Sequence, residues 1–356
     1  MGDDRACVCS EESAEGGRDV WSSTPSAAVS ADHLVVMVHG ILGSMADWKF
    51  AADQFVRMLP DKVIVHCSEC NAYTRTFDGV DVMGERLAEE VHAIISCKRE
   101  IRKISFIAHS VGGLVARYAI GKLYRPIKNS LAEPTDGAHH GTSAGTIAGL
   151  EAMNFITVAT PHLGSRGNKQ VPFLFGVTAF EKAASCVIHL IFRRTGRHLF
   201  LNDNDQGELP LLRRMVDDCS DLCFMSALQA FKRRVTYANV AYDHIVGWRT
   251  SSIRRNSELP KWEDSITSRY PHIVYQEYSK GVSKECADNS IVDVSSDELE
   301  EELVTGLTRL SWERVDVSFH TSRQRFAAHS VIQVKDSFIH SEGADVIQHM
   351  IDHFLV

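Results

Sequence analysis

The sequence predicts an α/β fold with a mostly parallel central sheet and helices on both of its faces. Three observations lead there. Short, branched, apolar runs recur along the chain and end in small or turn-forming residues, as buried parallel strands do. Stretches with apolar residues at helical spacing separate those runs, and such alternation of strand and helix is the signature of βα units. The chain has 356 residues, long for one domain and short for three.

LVVMVHG (34–40) is the first such run, with a helix expected over 46–59. KVIVHCSE (62–69) is the second strand. The helix that follows, 81–96, carries Val82, Leu87, Val91, Ile94 and Ile95 at helical spacing. KISFIAH (103–109) is the third strand, and Ser110 to Tyr124 the third helix. From 125 to 151 the pattern stops in a Gly-, Ser-, Thr- and His-rich loop. NFITVATP (154–161) resumes the sheet. Residues 164–230 show no clear strand and hold apolar patches such as VPFLFGV (171–177) and CVIHLIF (186–192). RVTYANVAYD (234–243) and WERVDVSF (312–319) are two more strands, with a polar, acidic stretch over 250–308 between them. A helix from about 343 to 354 closes the chain. The expected organisation is a mobile tail over 1–32 and one domain over 33–356, carrying an insertion at about 164–230.

Composition excludes several classes. The chain is 44% hydrophobic and 24% charged with a net charge of −8, so it lacks the basic face that a nucleic acid would require. No run reaches the roughly 18 apolar residues of a membrane span; Ala184 to Phe192 is short and runs into Arg193 and Arg194. The acidic N-terminus has no apolar signal region. Its Gly2 lacks the Ser or Thr expected at position 6 for myristoylation, where Ala6 stands. The nine cysteines follow no framework spacing and read as reduced thiols in a cytoplasmic protein. Cys67 and Cys70, with Cys219 and Cys223, could be assembled into a zinc site. Cys67 falls in a strand, however, where alternate side chains point apart, and buried small hydrophobes is the simpler reading. No metal or cofactor is expected.

IAHSVGGLVARYAIGKLY (107–124) is the informative stretch. A strand ends at His109, Ser110 sits on a sharp turn, and a helix follows. Small residues are needed two before and two after such a serine because backbone crowds there, and Ala108 and Gly112 supply them. The geometry exposes a hydroxyl at a helix N-terminus, which favours developing negative charge. Gly141-Thr142-Ser143-Ala144-Gly145 matches the G-x-S-x-G letters better, yet it follows no strand, so Ser110 and not Ser143 is the expected nucleophile. A serine hydroxyl needs a base, and the base an orienting acid. On this kind of turn the chain order is Ser, acid, His. Asp243 ends a late strand and is the expected acid. His320, His329 and His340 all lie between the last strand and the last helix, and position does not choose among them. The oxyanion requires two N–H donors: Val111, after the serine, and Ile41, in the loop after the first strand, where Gly40 lets backbone approach. Leu42, His109, His162 and Leu163 are the candidate substrate contacts, although His39, His109 and His162 also fit structural histidines supporting the site.

HGILGSMADW (39–48), AHSVGGLVARYAIG (108–121), ATPHLGS (159–165), FLND (200–203), YANVAYDHIVGWRTSSIR (237–254) and AAHSVIQVK (327–335) together resemble the plant branch of a family of lipase-like serine esterases known as domain-of-unknown-function family 676. The resemblance covers about 33 to 356 with the motifs in order. It implies an α/β-hydrolase fold and a Ser-His-Asp hydrolase that cleaves acyl esters, lipid esters foremost. It also implies that the base is His329, since the segment is similar to the family's A-H-x-x-I-x-V-[K/R]. The insertion at 164–230 then stands where lids and acyl-chain walls occur, with an ordinary packed helical cap as the other reading. The expected partners are an acyl-ester or lipid substrate and a membrane surface touched peripherally by the cap. A thioesterase or protein deacylase would use the same residues. A non-catalytic ligand-binding protein on the same scaffold would show negligible turnover.

Overall fold

The structure, a computed structural model, describes residues 20–21, 31–127, 145–165, 192–204, 207–219, 222–262, 268–281 and 296–356. Its strands are β1 (Val20–Trp21), β2 (His33–Val38), β3 (Val63–Cys67), β4 (Lys103–His109), β5 (Tyr124–Arg125), β6 (Thr146–Ile147), β7 (Glu151–Val158), β8 (Arg233–Asn239), β9 (Ile273–Ser279) and β10 (Trp312–Val317). Eight of them form one sheet in the order β1-β3-β2-β4-β7-β8-β10-β9, and β5 and β6 pair separately. From β3 across to β10 every neighbouring pair is parallel. β1 on β3 and β9 on β10 are antiparallel edges. This is the α/β-hydrolase fold.

The helices are α1 (Lys49–Met58), α2 (Val80–Cys97), α3 (Val111–Leu123), α4 (192–199), α5 (Leu211–Arg214), α6 (Phe224–Ala230), α7 (Trp248–Ser252), α8 (Ser296–Leu307), α9 (Ala328–Val331) and α10 (Ala344–Asp352). Successive strand side chains point to opposite faces, so β2 feeds two cores. Leu34, Val36 and Val38 face a core shared with α2, α3, α6 and α8. Val35 and Met37 face a second one with α1 and α10. Burial on both faces is why β2 reads as an unbroken apolar run. Each such side chain contributes about 1.5–3 kcal/mol.

The expected strands and helices are present, with boundaries that move by a few residues. The differences are at the edges. β9 lies in the stretch read from the sequence only as polar and acidic, 250–308. Its Gln276 and Tyr278 are exposed, and an edge strand open to solvent does not give the apolar run that marks a buried one. Val20–Trp21, within the expected tail, pairs with β3; the rest of 1–30 lies outside the described residues, as do 166–191 and Ser143. Residues 211–219 and 222–230 of the expected insertion belong to the main core: Leu212, Met215, Phe224 and Leu228 are buried against α3 and its neighbours. Cys67, Cys70, Cys219 and Cys223 are free thiols. Among the described residues no helix is long and apolar enough to cross a membrane.

Among the described residues one charged pair, Arg254 and Asp316, is fully buried. Arg254, just after α7, donates from Nη1 to both carboxylate oxygens of Asp316 on β10, at 2.8 and 2.9 Å. Trp248 Nε1 donates to the same carboxylate at 2.8 Å. The bonds fasten α7, and with it the loop after β8, to the sheet. Asp316→Ala leaves the buried Arg254 only the part-exposed Glu277 carboxylate, to which its Nε also donates at 3.0 Å, and should cost about 1.5–3 kcal/mol in urea unfolding. The double variant Arg254→Met/Asp316→Leu should recover most of that loss. A single-variant cost below about 1 kcal/mol would show that the pair does not anchor α7.

Candidate active site

Parallel strands deliver their following loops to one edge of the sheet. The loops after β2, β4, β8 and β10 therefore converge, and they carry Ile41, Ser110, Asp243 and His329 respectively.

Ser110 has φ 55° and ψ −134°, a region that non-glycine residues reach only when their surroundings impose it. Its N–H donates to Val158 O at 2.9 Å, which extends the β4–β7 pairing into the turn. The crowding around it is measurable. A Cβ on Gly112 would lie 2.4 Å from His39 O, and a Cβ on Gly40 would lie 2.8 Å from Ser110 Cβ. Helix α3 can thus start directly against the end of β2 only because both positions are glycine.

Asp243 is buried and its carboxylate is fully engaged. Oδ1 accepts the N–H groups of Ile245 and Val246 at 3.0 and 2.8 Å. Oδ2 accepts Asn239 Nδ2 at 2.9 Å and lies 3.0 Å from His329 Nδ1. Burial alone would raise its pKa, but the His329 charge and these hydrogen bonds outweigh it and hold the carboxyl below the usual range. Of the three candidate histidines, His329 is the one bonded to Asp243. His320 Nδ1 sits 2.9 Å from Ser318 Oγ, and His340 Nδ1 accepts the N–H of Asp336.

His109 lies between the nucleophile turn and the His329 loop. Its Nε2 is 2.7 Å from His329 O, and the two rings are 4.5 Å apart between centroids. Burial and the neighbouring His329 charge push its pKa well below the ordinary value, so it stays neutral and its Nε2–H is the donor to that carbonyl. Among the described residues Ser110 Oγ forms no hydrogen bond to His329. Catalytic hydrogen bonds are often long before substrate binds.

The N–H of Val111 opens α3, where no intrahelical acceptor exists. Leu42 N–H is taken by Thr76 Oγ1 at 3.0 Å, while Ile41 N–H has no acceptor among the described residues. Of the candidate substrate contacts, Leu42 is 53% exposed. His162 and Leu163 are not exposed at all. His162 Nε2 pairs with Thr157 Oγ1 at 2.9 Å, its ring packs edge-on against Trp312, and Leu163 N–H donates to Thr250 Oγ1. Those contacts are structural ones. Among the described residues no group of three or more His, Cys, Asp or Glu side chains is arranged to hold a metal ion. Sequence reasoning missed Asn239 and Thr76. Asn239 carries a usable signal, an amide at the end of β8 four residues before the acid, whereas Thr76 carries none.

The depressed pKa of Asp243 fixes the sign of a pH effect. A carboxyl whose folded pKa lies below its unfolded value of about 3.8 contributes stability that is complete above that value. The contribution is lost as pH falls through the folded pKa. Urea unfolding at pH 7 and pH 3 should therefore show a smaller acid-side loss in Asp243→Asn than in the parent chain. Identical losses in the two proteins would contradict the bonding described for Asp243.

Comparison with known proteins places these features. The family described as "Putative serine esterase (DUF676)" matches residues 28–253, well over half of the chain; the match holds Ser110 and Asp243 and ends before His329. "Putative lipase ROG1" of Saccharomyces cerevisiae is 29% identical over 66% of this chain and 31% of its own length. "Putative lipase C4A8.10" of Schizosaccharomyces pombe is 29% identical over 65% of this chain and 27% of its own. This chain thus spans about a third or less of those relatives. They are yeast proteins and do not bear on the plant branch suggested by the sequence motifs. The mature Bacillus licheniformis lipase BlEst2 is a similar solved structure, at 16% identity over 62% of this chain and 71% of that one, with a TM-score of 0.37; a likeness that distant carries no weight for the site. The extent of the family match is decisive: the chain belongs to the family described as "Putative serine esterase (DUF676)".

Proposed function

We propose that the protein hydrolyses carboxylic esters, acyl esters of lipids foremost, through Ser110, His329 and Asp243 and a covalent acyl-enzyme. The observation that carries this reading is the 3.0 Å contact between His329 Nδ1 and Asp243 Oδ2, at the sheet edge where the strained Ser110 opens α3. With Nδ1–H committed to Asp243, His329 Nε2 is the free base. It takes the Ser110 Oγ proton as Oγ attacks the carbonyl carbon. Val111 and Ile41 N–H groups receive the oxyanion. The intermediate collapses, the alcohol leaves with the proton from His329, and water repeats the sequence to release the acid. The lipid part of the reading is supported by apolar side chains on the loops that carry these groups: Leu42 is 53%, Ile245 54% and Phe326 66% exposed. Such side chains suit an acyl chain or a membrane surface touched from this end.

Turnover of p-nitrophenyl esters tests the assignment. Ser110→Ala and His329→Ala should each lower kcat by about 10⁴-fold or more. Ser143→Ala, His320→Ala and His340→Ala should stay near the parent rate. A dead His340→Ala with an active His329→Ala would overturn the base. Moving from acetyl to octanoyl esters should raise kcat/KM, since each buried CH₂ contributes up to about 0.8 kcal/mol. An optimum at acetyl would leave a small-ester esterase instead.

A further inference from the structure

The loop that carries Ile41 is held by one buried hydroxyl. Thr76 lies in a single 3₁₀ turn, Tyr73–Phe77, and is 1% exposed. Its Oγ1 donates to Tyr73 O at 2.5 Å, which leaves an oxygen lone pair for the N–H of Leu42 at 3.0 Å. Tyr73 N–H in turn donates to Gly43 O at 2.8 Å. Residues 42 and 43 are thus tied on both sides to 73–76. Leu42 itself stands at φ 54°, a conformation that costs energy for a branched side chain and needs such a tie. The N–H immediately before it, that of Ile41, has no acceptor among the described residues, and it follows Gly40, the residue that packs against Ser110.

The other side of Thr76 faces α4. Thr195 Oγ1 donates to Thr76 O at 2.7 Å and accepts the N–H of Gly79 at 3.0 Å. His198 Nδ1 accepts the N–H of Val80 at 3.0 Å, Arg194 pairs with Asp81, and the Phe77 and Phe192 rings pack edge to face at 5.7 Å. Five contacts therefore clamp 76–81 to a segment that the sequence assigns to the insertion.

We propose that Thr76 is a positioning residue of the oxyanion loop, and that it relays the docking of α4 to that loop. The hydroxyl sets Leu42, Leu42 sets the preceding peptide, and that peptide presents Ile41 N–H to the developing oxyanion. The proposal rests on the esterase reading above and adds to it a physical link between the insertion and the rate of chemistry. Displacement of an oxyanion donor acts on the transition state more than on bound substrate, so the loss falls on kcat and not on KM.

The test uses the full chain and p-nitrophenyl ester turnover. Thr76→Val keeps the shape and removes the hydroxyl; it should lower kcat about 10–100-fold with KM within about threefold. Thr76→Ser should restore most of the rate relative to Thr76→Val. Thr195→Val should lower kcat in the same direction by a smaller factor. If Thr76→Val does not fold, Thr76→Ala and Thr195→Val, both checked by circular dichroism, decide in its place. A folded variant lacking the hydroxyl at the parent kcat, or a loss confined to KM, would overturn the proposal. So would a Thr195→Val variant indistinguishable from the parent, for the relay from α4. Parent turnover that survives Ser110→Ala would instead mean that the esterase reading itself has failed.

Discussion

The turn at Ser110 is the constraint on which the rest of the site depends. A serine at φ 55° persists only where the structure around it leaves no alternative. That structure is the sheet itself. β4 is flanked by β2 and β7, its backbone pairing runs on into Ser110, and α3 begins within contact distance of the His39 carbonyl. Two glycines make the approach feasible, Gly40 from the oxyanion loop and Gly112 from the helix. Any widening of this corner to admit a Cβ would move the hydroxyl, the helix N-terminus and the Ile41 loop together.

The second pillar is a buried carboxylate that tolerates burial because each oxygen is satisfied. Asp243 accepts two backbone N–H groups, an asparagine amide and His329. An unpaired carboxylate there would be costly. The loop after β8 is in turn held by α7 and the Arg254–Asp316 pair, so the acid is fixed from the sheet and not from the surface. His109 adds the tie between the nucleophile turn and the His329 loop. It can do so without repelling His329 because burial keeps it neutral.

Much of this was legible in the sequence, and the reasons are specific. Parallel strands buried on both faces leave unbroken apolar runs, so β2, β3, β4 and β7 announce themselves. The strand–serine–glycine–helix order picks out Ser110 over a better letter match at Ser143. β9 was not legible, since an exposed edge strand alternates with polar residues and resembles loop. The share of residues 211–219 and 222–230 in the main core was hidden as well, because apolar patches in an insertion and in a core look alike. The choice among His320, His329 and His340 came from a family resemblance and not from spacing, since distance along the chain says nothing about which loop reaches Asp243. Thr76 lies outside every motif: its role depends on a hydrogen bond to a residue 34 positions away.

The central claim is that Ser110 is an activated nucleophile. Its most direct test is reaction of the full chain with a fluorophosphonate, followed by mass spectrometry of the digest. The account predicts one stoichiometric adduct, on the peptide containing Ser110, at a rate that falls sharply when His329 is replaced by alanine. An adduct on another serine, or labelling of Ser110 that is indifferent to His329, would contradict it.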